Sequence, residues 1–199
     1  MVTRTLNETD VYEITRIHLI SFSTFFLTRL GESFLKFFYK SFLKHRDSIG
    51  FGIFDNTGLM VGFSVATARS SGFNKSLIIQ NLNSFFFIGL KLLVTKPGSL
   101  LRLILNLSKK NDPRDDGDYA ELYSIAVDPG KQGLGIGKIL LAITEKAALD
   151  RGCKKMALTT DFYNNSDVVS FYKSLGYVVF YEFIAFPDRK MYKLVKTLI

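Results

Sequence analysis

The sequence of 199 residues is poor in the residues that cross-link a small protein or hold a metal ion. Its single cysteine, Cys153, excludes an intrachain disulfide and favours a reducing compartment. The two histidines, His18 and His45, give neither a metal-ligand cluster nor a nearby partner for a cysteine nucleophile. The first residues lack the apolar core of a signal peptide. We therefore expect a cytoplasmic protein without a metal cofactor.

Acidic residues are also scarce relative to basic ones. The chain has 26 Lys and Arg against 18 Asp and Glu, a formal net charge of +8 that suits anionic partners. The basic residues form no Lys/Arg run of the kind that binds nucleic acid, so no nucleic-acid partner is expected. Apolar residues make up 47% of the chain, and its length fits one domain over residues 1–199.

What the sequence does contain is a glycine-rich turn between a predicted strand and a predicted helix. Residues 121–127 alternate as a strand does, and residues 139–149 have apolar residues at helical spacing. The turn between them runs from Gln132 to Lys138 and reads QGLGIGK. Small residues let an anion approach the backbone, and a helix N-terminus offers free N–H groups. This arrangement predicts a binding site for a phosphate-bearing cofactor.

The spacing of the turn separates the families that use such a site. A P-loop would require glycine where Gln132 stands and Ser or Thr where Ile139 stands. A dinucleotide fingerprint requires G-x-G-x-x-G, whereas the glycines here are spaced two apart. The remaining pattern, Gln-x-x-Gly-x-Gly, is supplied by Gln132, Gly135 and Gly137. It resembles the acetyl-coenzyme A site of the GCN5-related N-acetyltransferases, the GNAT superfamily. A tight turn without a ligand is the alternative.

A second motif strengthens the resemblance. The segment Asn165–Tyr177 reads NSDVVSFYKSLGY and looks like the downstream GNAT signature. In physical terms it is an amphipathic helix that Ser166 can cap and Gly176 can end. Residues 119–185 carry the resemblance. It implies an α/β (α+β) fold, with a mixed, mostly antiparallel sheet flanked by helices, and an acetyl-coenzyme A-dependent N-acetyltransferase.

The resemblance also implies roles for individual residues. The general acid at the departing sulfur would be Tyr172, whose alternative is a core aromatic. The general base would be Glu121, at the offset used in the histone acetyltransferase branch; a salt-bridged glutamate or a water chain is the alternative. Asn165 is either a cofactor contact or a helix cap. The residues implied to bind acetyl-coenzyme A are Ile125, Ala126, Val127, Gln132, Gly133, Leu134, Gly135, Ile136, Gly137, Lys138 and Asn165.

The rest of the chain supplies the acceptor side. The aromatic segment Phe22–Leu30 is predicted to be a loop that contacts the acceptor. Residues 72–118 are predicted to be an insertion, with one helix over Leu77–Ile88, another over Ser99–Leu105, and an exposed, mobile loop from Asn111. Polar residues interrupt the apolar stretches, which argues against a transmembrane span. The insertion is interpreted as a lid, a homodimer contact or, least favoured, a peripheral membrane helix.

Two classes of function follow. The first is an N-acetyltransferase that acts on a primary amine of a small molecule, with an amino sugar or a sugar nucleotide as the leading acceptor and a protein N-terminus or lysine next. The second is a non-catalytic acyl-coenzyme A-binding or membrane-associated interaction protein. The presence of both Tyr172 and Glu121 favours the enzyme.

Overall fold

The computed structural model describes residues 1–107 and 112–199, and its centre is one seven-stranded sheet. The strand order is β1-β2-β3-β4-β5-β7-β6. Within the described chain every neighbouring pair is antiparallel except β4 and β5. The strands are β1 (Val2–Thr5), β2 (Ser48–Phe54), β3 (Met60–Thr67), β4 (Ala120–Val127), β5 (Lys155–Asp161), β6 (Val178–Ala185) and β7 (Arg189–Thr197). The predicted mixed, mostly antiparallel sheet is confirmed.

Helices cover both faces of the sheet. They are α1 (Val11–Ser21), α2 (Phe26–Leu30), α3 (Glu32–Lys44), α4 (Phe73–Gln80), α5 (Leu82–Thr95), α6 (Pro97–Leu107), α7 (Ile136–Asp150) and α8 (Ser166–Ser174). On one face α1 and α3 bury Ile14 and Phe42 against Phe63 of β3. On the other face α7 and α8 bury Leu141 and Tyr172 with strand residues. Burial of these apolar side chains is the main stabilising term of the fold.

The predicted insertion differs from expectation in its first helix. A single helix over Leu77–Ile88 is wrong, because the chain bends by 91° between α4 and α5. The bend lies at Asn81, whose side-chain amide donates to the Leu77 carbonyl at 3.0 Å. A local side-chain bond of this kind competes with the helical ladder and favours an end at this position. The second predicted helix is present and begins at Pro97, a residue suited to the first helical turn.

The bend also bears on membrane crossing. Within the described residues no single helix has the length and apolar character of a membrane span. The bent pair α4 and α5 together meet that standard by length and composition alone. Residues 108–111, which include the predicted start of the mobile loop, lie outside the described residues.

The pairing of the two parallel strands positions the site. Strands β4 and β5 pair only from Ala120 to Leu122, and the pairing ends there within the described chain. The register of β3 with β4 shifts at the same point, so that Tyr123 is passed over in the ladder. A bulge bends the strand that contains it. The carboxyl ends of β4 and β5 therefore separate, and a gap opens between them in the sheet.

Candidate active site

The first part of the site is a cleft of about 1050 Å³ beside the glycine turn, here called the cofactor cleft. The carboxyl half of β4, the turn, the start of α7 and α8 line it. Ten of the eleven predicted cofactor residues are among its lining residues. The exception is Leu134, whose side chain is 61% exposed and lies outside the cleft. The three glycines of the turn line the cleft, and so do Gln132, Ile136 and Lys138.

The backbone of the turn explains why glycine is needed. Gly133 and Gly135 have φ values of 79° and 75°, in the left-handed region that other residues rarely adopt. Gly135 is the N-cap of α7, and the first helical hydrogen bond joins the Ile139 N–H to its carbonyl at 3.1 Å. The N–H groups of the three residues before Ile139 therefore precede the helical ladder and are free to bind an anion. The helix dipole adds a partial positive charge at the same end.

Side-chain bonds hold the segment that precedes this turn against α1. The Asp128 carboxylate accepts from the Gly130 N–H at 3.0 Å and from the Arg16 guanidinium at 3.2 Å. Arg16 in turn donates to the carbonyl of Met60 at 2.8 Å. Gln132 donates to the Val127 carbonyl at 3.5 Å, a weak contact that leaves its amide at the edge of the cleft. The segment that leads into the turn is thus held against α1.

Tyr172 lies where the cofactor cleft meets a second cavity of about 360 Å³, here called the central cavity. Its ring packs in the core beneath α8, and burial raises the pKa of its phenol well above the usual value. Its hydroxyl forms no hydrogen bond with the part of the chain that the structure describes. The phenol is therefore protonated at neutral pH and has a hydrogen bond to donate.

Asn165 joins α8 to the end of β5. Its amide donates to the Thr160 hydroxyl at 2.7 Å and to the Asp161 carbonyl at 2.9 Å. It holds the N-cap position of α8 but makes no capping side-chain bond. The predicted cap at Ser166 is wrong, because Ser166 is already the first helical residue. Asn165 instead borders both the cofactor cleft and the central cavity.

The central cavity fills the gap between β4 and β5. A buried chain of side chains reaches it from α1: His18 Nδ1 bonds the Tyr39 hydroxyl at 2.6 Å, and that hydroxyl donates to Ser124 Oγ at 3.2 Å. Burial lowers the pKa of His18 to about 4, so its ring is neutral at physiological pH. Within the described residues its Nε2 atom has no partner. His18 is thus a buried polar group at the cavity wall.

The third part is a cavity of about 660 Å³ on the side of the insertion, here called the acceptor cavity. Glu121 lines it and accepts hydrogen bonds from the Ser70 hydroxyl at 2.6 Å and from the buried Lys193 ammonium at 2.5 Å. Asp115 accepts from the hydroxyls of Tyr119 at 3.0 Å and Tyr181 at 2.6 Å. Burial is the main reason why the pKa values of these two tyrosines are raised.

The three cavities adjoin one another through shared walls. Phe22, Phe25 and Ile125 line both the cofactor cleft and the central cavity. Phe26, Thr159 and Met191 line both the central and the acceptor cavities. The aromatic segment predicted to contact the acceptor is therefore at the site, although its second half forms α2 and not a loop. Glu121 lines the acceptor cavity, whereas Tyr172 lines the central cavity and the cofactor cleft.

The sequence analysis missed several residues of these walls, Arg189 above all. Arg189 begins β7, and its guanidinium binds the Asp161 carboxylate through two nitrogens. It lines both the central and the acceptor cavities. No local motif marks it, because the two partners lie 28 residues apart and meet only when β7 pairs with β5.

Comparison with known proteins agrees with this geometry. Residues 102–177 match the family model described as the acetyltransferase (GNAT) family. Among curated proteins no sequence matches the chain significantly.

Solved acetyltransferases share the fold. The ribosomal-protein alanine N-acetyltransferase from Escherichia coli is 16% identical, with a TM-score of 0.62 over 99% of this chain and 93% of that one. The aminoglycoside 6′-acetyltransferase type Ii is 15% identical, with a TM-score of 0.64 over 100% and 98%. The PaiA N-acetyltransferase from Thermoplasma acidophilum, solved with coenzyme A, is 15% identical, with a TM-score of 0.59 over 98% of each chain.

Proposed function

We propose that the chain is a GNAT acetyltransferase that uses acetyl-coenzyme A to acetylate a primary amine entering through the acceptor cavity, and the match of residues 102–177 to the family model supports this. The observation that carries the proposal is the central cavity in the gap between β4 and β5. It lies between a cleft suited to a pyrophosphate and a polar cavity on the other side. Two substrates that approach from these sides would meet beside Tyr172. One acetyltransferase domain over residues 1–199, with 72–118 as its insertion, is part of this proposal.

The residues of the cofactor cleft fit coenzyme A. The free N–H groups at the start of α7 would bind the pyrophosphate, and Lys138 would add a positive charge. The β4 backbone from Ile125 to Val127 would lie along the pantetheine arm. When bound, acetyl-coenzyme A supplies a thioester whose carbonyl carbon the amine attacks and whose sulfur leaves as a thiolate.

Tyr172 would act as the general acid. Its phenol holds a proton at neutral pH, has a free hydrogen bond to donate, and borders the place where the two cavities meet. As the C–N bond forms and the C–S bond breaks, the phenol would donate to the thiolate, which leaves as the free thiol.

Glu121 would act as the general base. Its carboxylate lies in the acceptor cavity and can receive the proton that the attacking nitrogen loses. Lys193 and Ser70 fix its position, and each contacts a different carboxylate oxygen. With Glu121 in the acceptor cavity and Tyr172 at the cofactor cleft, the base would lie on the amine side and the acid on the sulfur side.

The acceptor we propose is an amino sugar or a sugar nucleotide. A cavity of about 660 Å³ lies within the range of ordinary small-molecule sites, and its lining mixes charged, hydroxyl and aromatic groups. A protein N-terminus or lysine is the second candidate class.

A panel of amines tests the proposal directly. Purified protein is incubated with acetyl-coenzyme A and amino sugars, sugar nucleotides or peptides, and both thiol release and the acetylated product are measured. We expect amine-dependent thiol release with a product 42 Da heavier, the mass of an added acetyl group in place of hydrogen. Two results together would refute the catalytic proposal. Coenzyme A would bind without acetylation of any amine in the panel, and Tyr172→Phe would release thiol at the same rate as the wild type.

A further inference from the structure

Three guanidinium groups meet beside the acceptor cavity. Arg29, Arg102 and Arg189 line one small cavity of about 270 Å³. Arg102 and Arg189 also line the acceptor cavity, so the two spaces adjoin. Arg29 comes from α2, Arg102 from α6 and Arg189 from β7, so the cluster forms only when the insertion packs over the sheet. We call these three residues the arginine cluster.

The charges in this cavity do not balance. Asp161 is the acidic residue in its lining, and both of its oxygens bind Arg189. Three guanidinium groups less one carboxylate leave two positive charges. Among the described residues, neither Arg29 nor Arg102 has a carboxylate within ion-pair distance. Like charges in a partly buried cavity repel one another unless an anion joins them.

Arg102 has hydrogen-bonding capacity that the described part of the chain does not use. Its guanidinium lies over the ring of Phe26, 4.6 Å from the centroid, which fixes its plane. Its Nε atom is buried and forms no hydrogen bond with the described part of the chain. Burial, and then the charges of Arg189 and Arg29, lower the pKa of Arg102. A planar guanidinium with no carboxylate partner among the described residues is well suited to bind an oxyanion.

We propose that Arg29 and Arg102 bind a phosphate or diphosphate group of the acceptor, so that the substrate is a phosphorylated amine such as a sugar nucleotide. This inference rests on the proposed function, since it names the substrate class of the same site. Phosphate is favoured over carboxylate because two guanidinium groups are present and a phosphate group offers more oxygens and more charge than one carboxylate.

The test separates this anion site from the coenzyme A site. The protein is first saturated with coenzyme A, so that the turn before α7 is occupied. It is then titrated by calorimetry with inorganic pyrophosphate, and separately with succinate, at one ionic strength. The titrations are repeated with Arg29→Gln, with Arg102→Gln and with Arg46→Gln. The last is the matched control, because it removes an exposed arginine away from the cavity.

We expect pyrophosphate to bind the loaded wild type, and each cluster variant to bind it at least about tenfold more weakly, as loss of a charge-assisted bond predicts. Arg46→Gln should bind as the wild type does. Absence of pyrophosphate binding, equal loss in the control, or tighter binding of succinate would overturn the inference. Coenzyme A binding is measured while each sample is being saturated. A negative result with pyrophosphate would therefore leave the cofactor proposal intact.

A different observation concerns the outer surface of the insertion. Helices α5 and α6 expose large apolar side chains, and Val94 is 80% exposed. On α5 they recur at helical spacing along one side. We call this set the insertion apolar face: Leu82, Phe86, Phe87, Leu90, Leu93, Val94, Leu101 and Ile104. A large set of exposed apolar side chains is typical of a surface that binds a protein, a membrane or a ligand.

The charge of the insertion indicates what that partner is. Residues 72–107 contain no Asp or Glu, and they contain four basic residues, of which Lys91 and Lys96 lie on or beside α5. Apolar side chains with basic but no acidic neighbours suit the surface of an anionic bilayer. We infer that the insertion apolar face docks on an anionic membrane, with α5 lying in the interface.

Vesicle pelleting tests this second inference. The wild type, Phe86→Ser/Phe87→Ser and the control Ile184→Ser, which removes an equally exposed apolar residue from β6, are mixed with vesicles. We expect the wild type and the control to pellet with phosphatidylglycerol vesicles and less with phosphatidylcholine, and the double variant to stay in the supernatant. Failure of the wild type to pellet would overturn the inference. So would a dimer in sedimentation analysis that the double substitution dissociates, since a second copy would then cover the face.

Discussion

Two helices of nearly equal length differ in how many of their residues the rest of the molecule buries. Helix α7, of 15 residues, buries five of them against the sheet: Ile136, Leu140, Leu141, Thr144 and Ala148. Helix α5, of 14 residues and more apolar, buries Leu92 as its one fully buried residue. The first helix is held by the core and presents its N-terminus to a cleft. The second is held by a small cluster with Leu30 and Phe34 and leaves its apolar side outward. Apolar content alone therefore does not indicate where a helix packs.

The largest effect should appear on the cofactor side, at Tyr172. Tyr172→Phe removes only a hydroxyl, so the fold and coenzyme A binding should persist. We expect kcat to fall on the order of 10²-fold, the usual contribution of a general acid. The measurement is steady-state turnover with the best amine from the panel, beside calorimetry with coenzyme A. Unchanged turnover would remove Tyr172 from the mechanism.

Any loss of folding stability at acid pH should arise in the part of the molecule that contains the site, because residues 73–107 carry no Asp, Glu or His. The pKa of His18 is about 4 in the folded protein and about 6.5 when unfolded. The unfolded chain therefore binds its proton first, and stability is lost as pH falls from about 6.5 towards 4. The loss is about 3 kcal/mol from this one group. Urea unfolding at several pH values should show a shallower pH dependence for His18→Gln than for the wild type; parallel curves would contradict this.

Within the insertion, the buried and exposed sides can be compared directly. Leu92→Ala should lower the free energy of unfolding by about 2 kcal/mol or more, because it leaves a cavity in the cluster that anchors α5. Phe87→Ala, on the exposed side, should change it by less than about 0.5 kcal/mol. Denaturant titration of both variants gives the answer. Equal effects would mean that α5 is not anchored through Leu92.

The smallest effect is expected at Leu134, within the turn itself. Its side chain lies outside the cofactor cleft, so Leu134→Ala should leave the Kd for coenzyme A within about twofold. Calorimetry on this variant checks whether the turn binds through its backbone. A tenfold weaker Kd would show that the side chain contacts the cofactor after all.

The sequence predicted the parts of the molecule whose chemistry is local. Gly133 and Gly135 are required by their backbone angles, and the helix that follows them has its own periodicity. Tyr172 was singled out because it lies in a motif with fixed spacing, and the structure places it at the wall of two cavities. The bend at Asn81 was missed because a few polar residues in an apolar stretch are compatible with a continuous helix. Arg189 and the arginine cluster were missed because distant segments create them, and no spacing along the chain records such a meeting.

The central claim is that the free N–H groups at the start of α7 bind the pyrophosphate of coenzyme A. Calorimetric titration with acetyl-coenzyme A tests it most directly, with the wild type, Gly135→Asp and Gly135→Asn compared. Asp and Asn have the same shape and tolerate the left-handed backbone better than most residues, so the two variants differ in one negative charge. The account predicts binding on the order of micromolar for the wild type. It also predicts a Kd for the Asp variant at least about tenfold weaker than for the Asn variant, as one charge beside a bound pyrophosphate requires. Equal binding by the two variants, or none by the wild type, would contradict it.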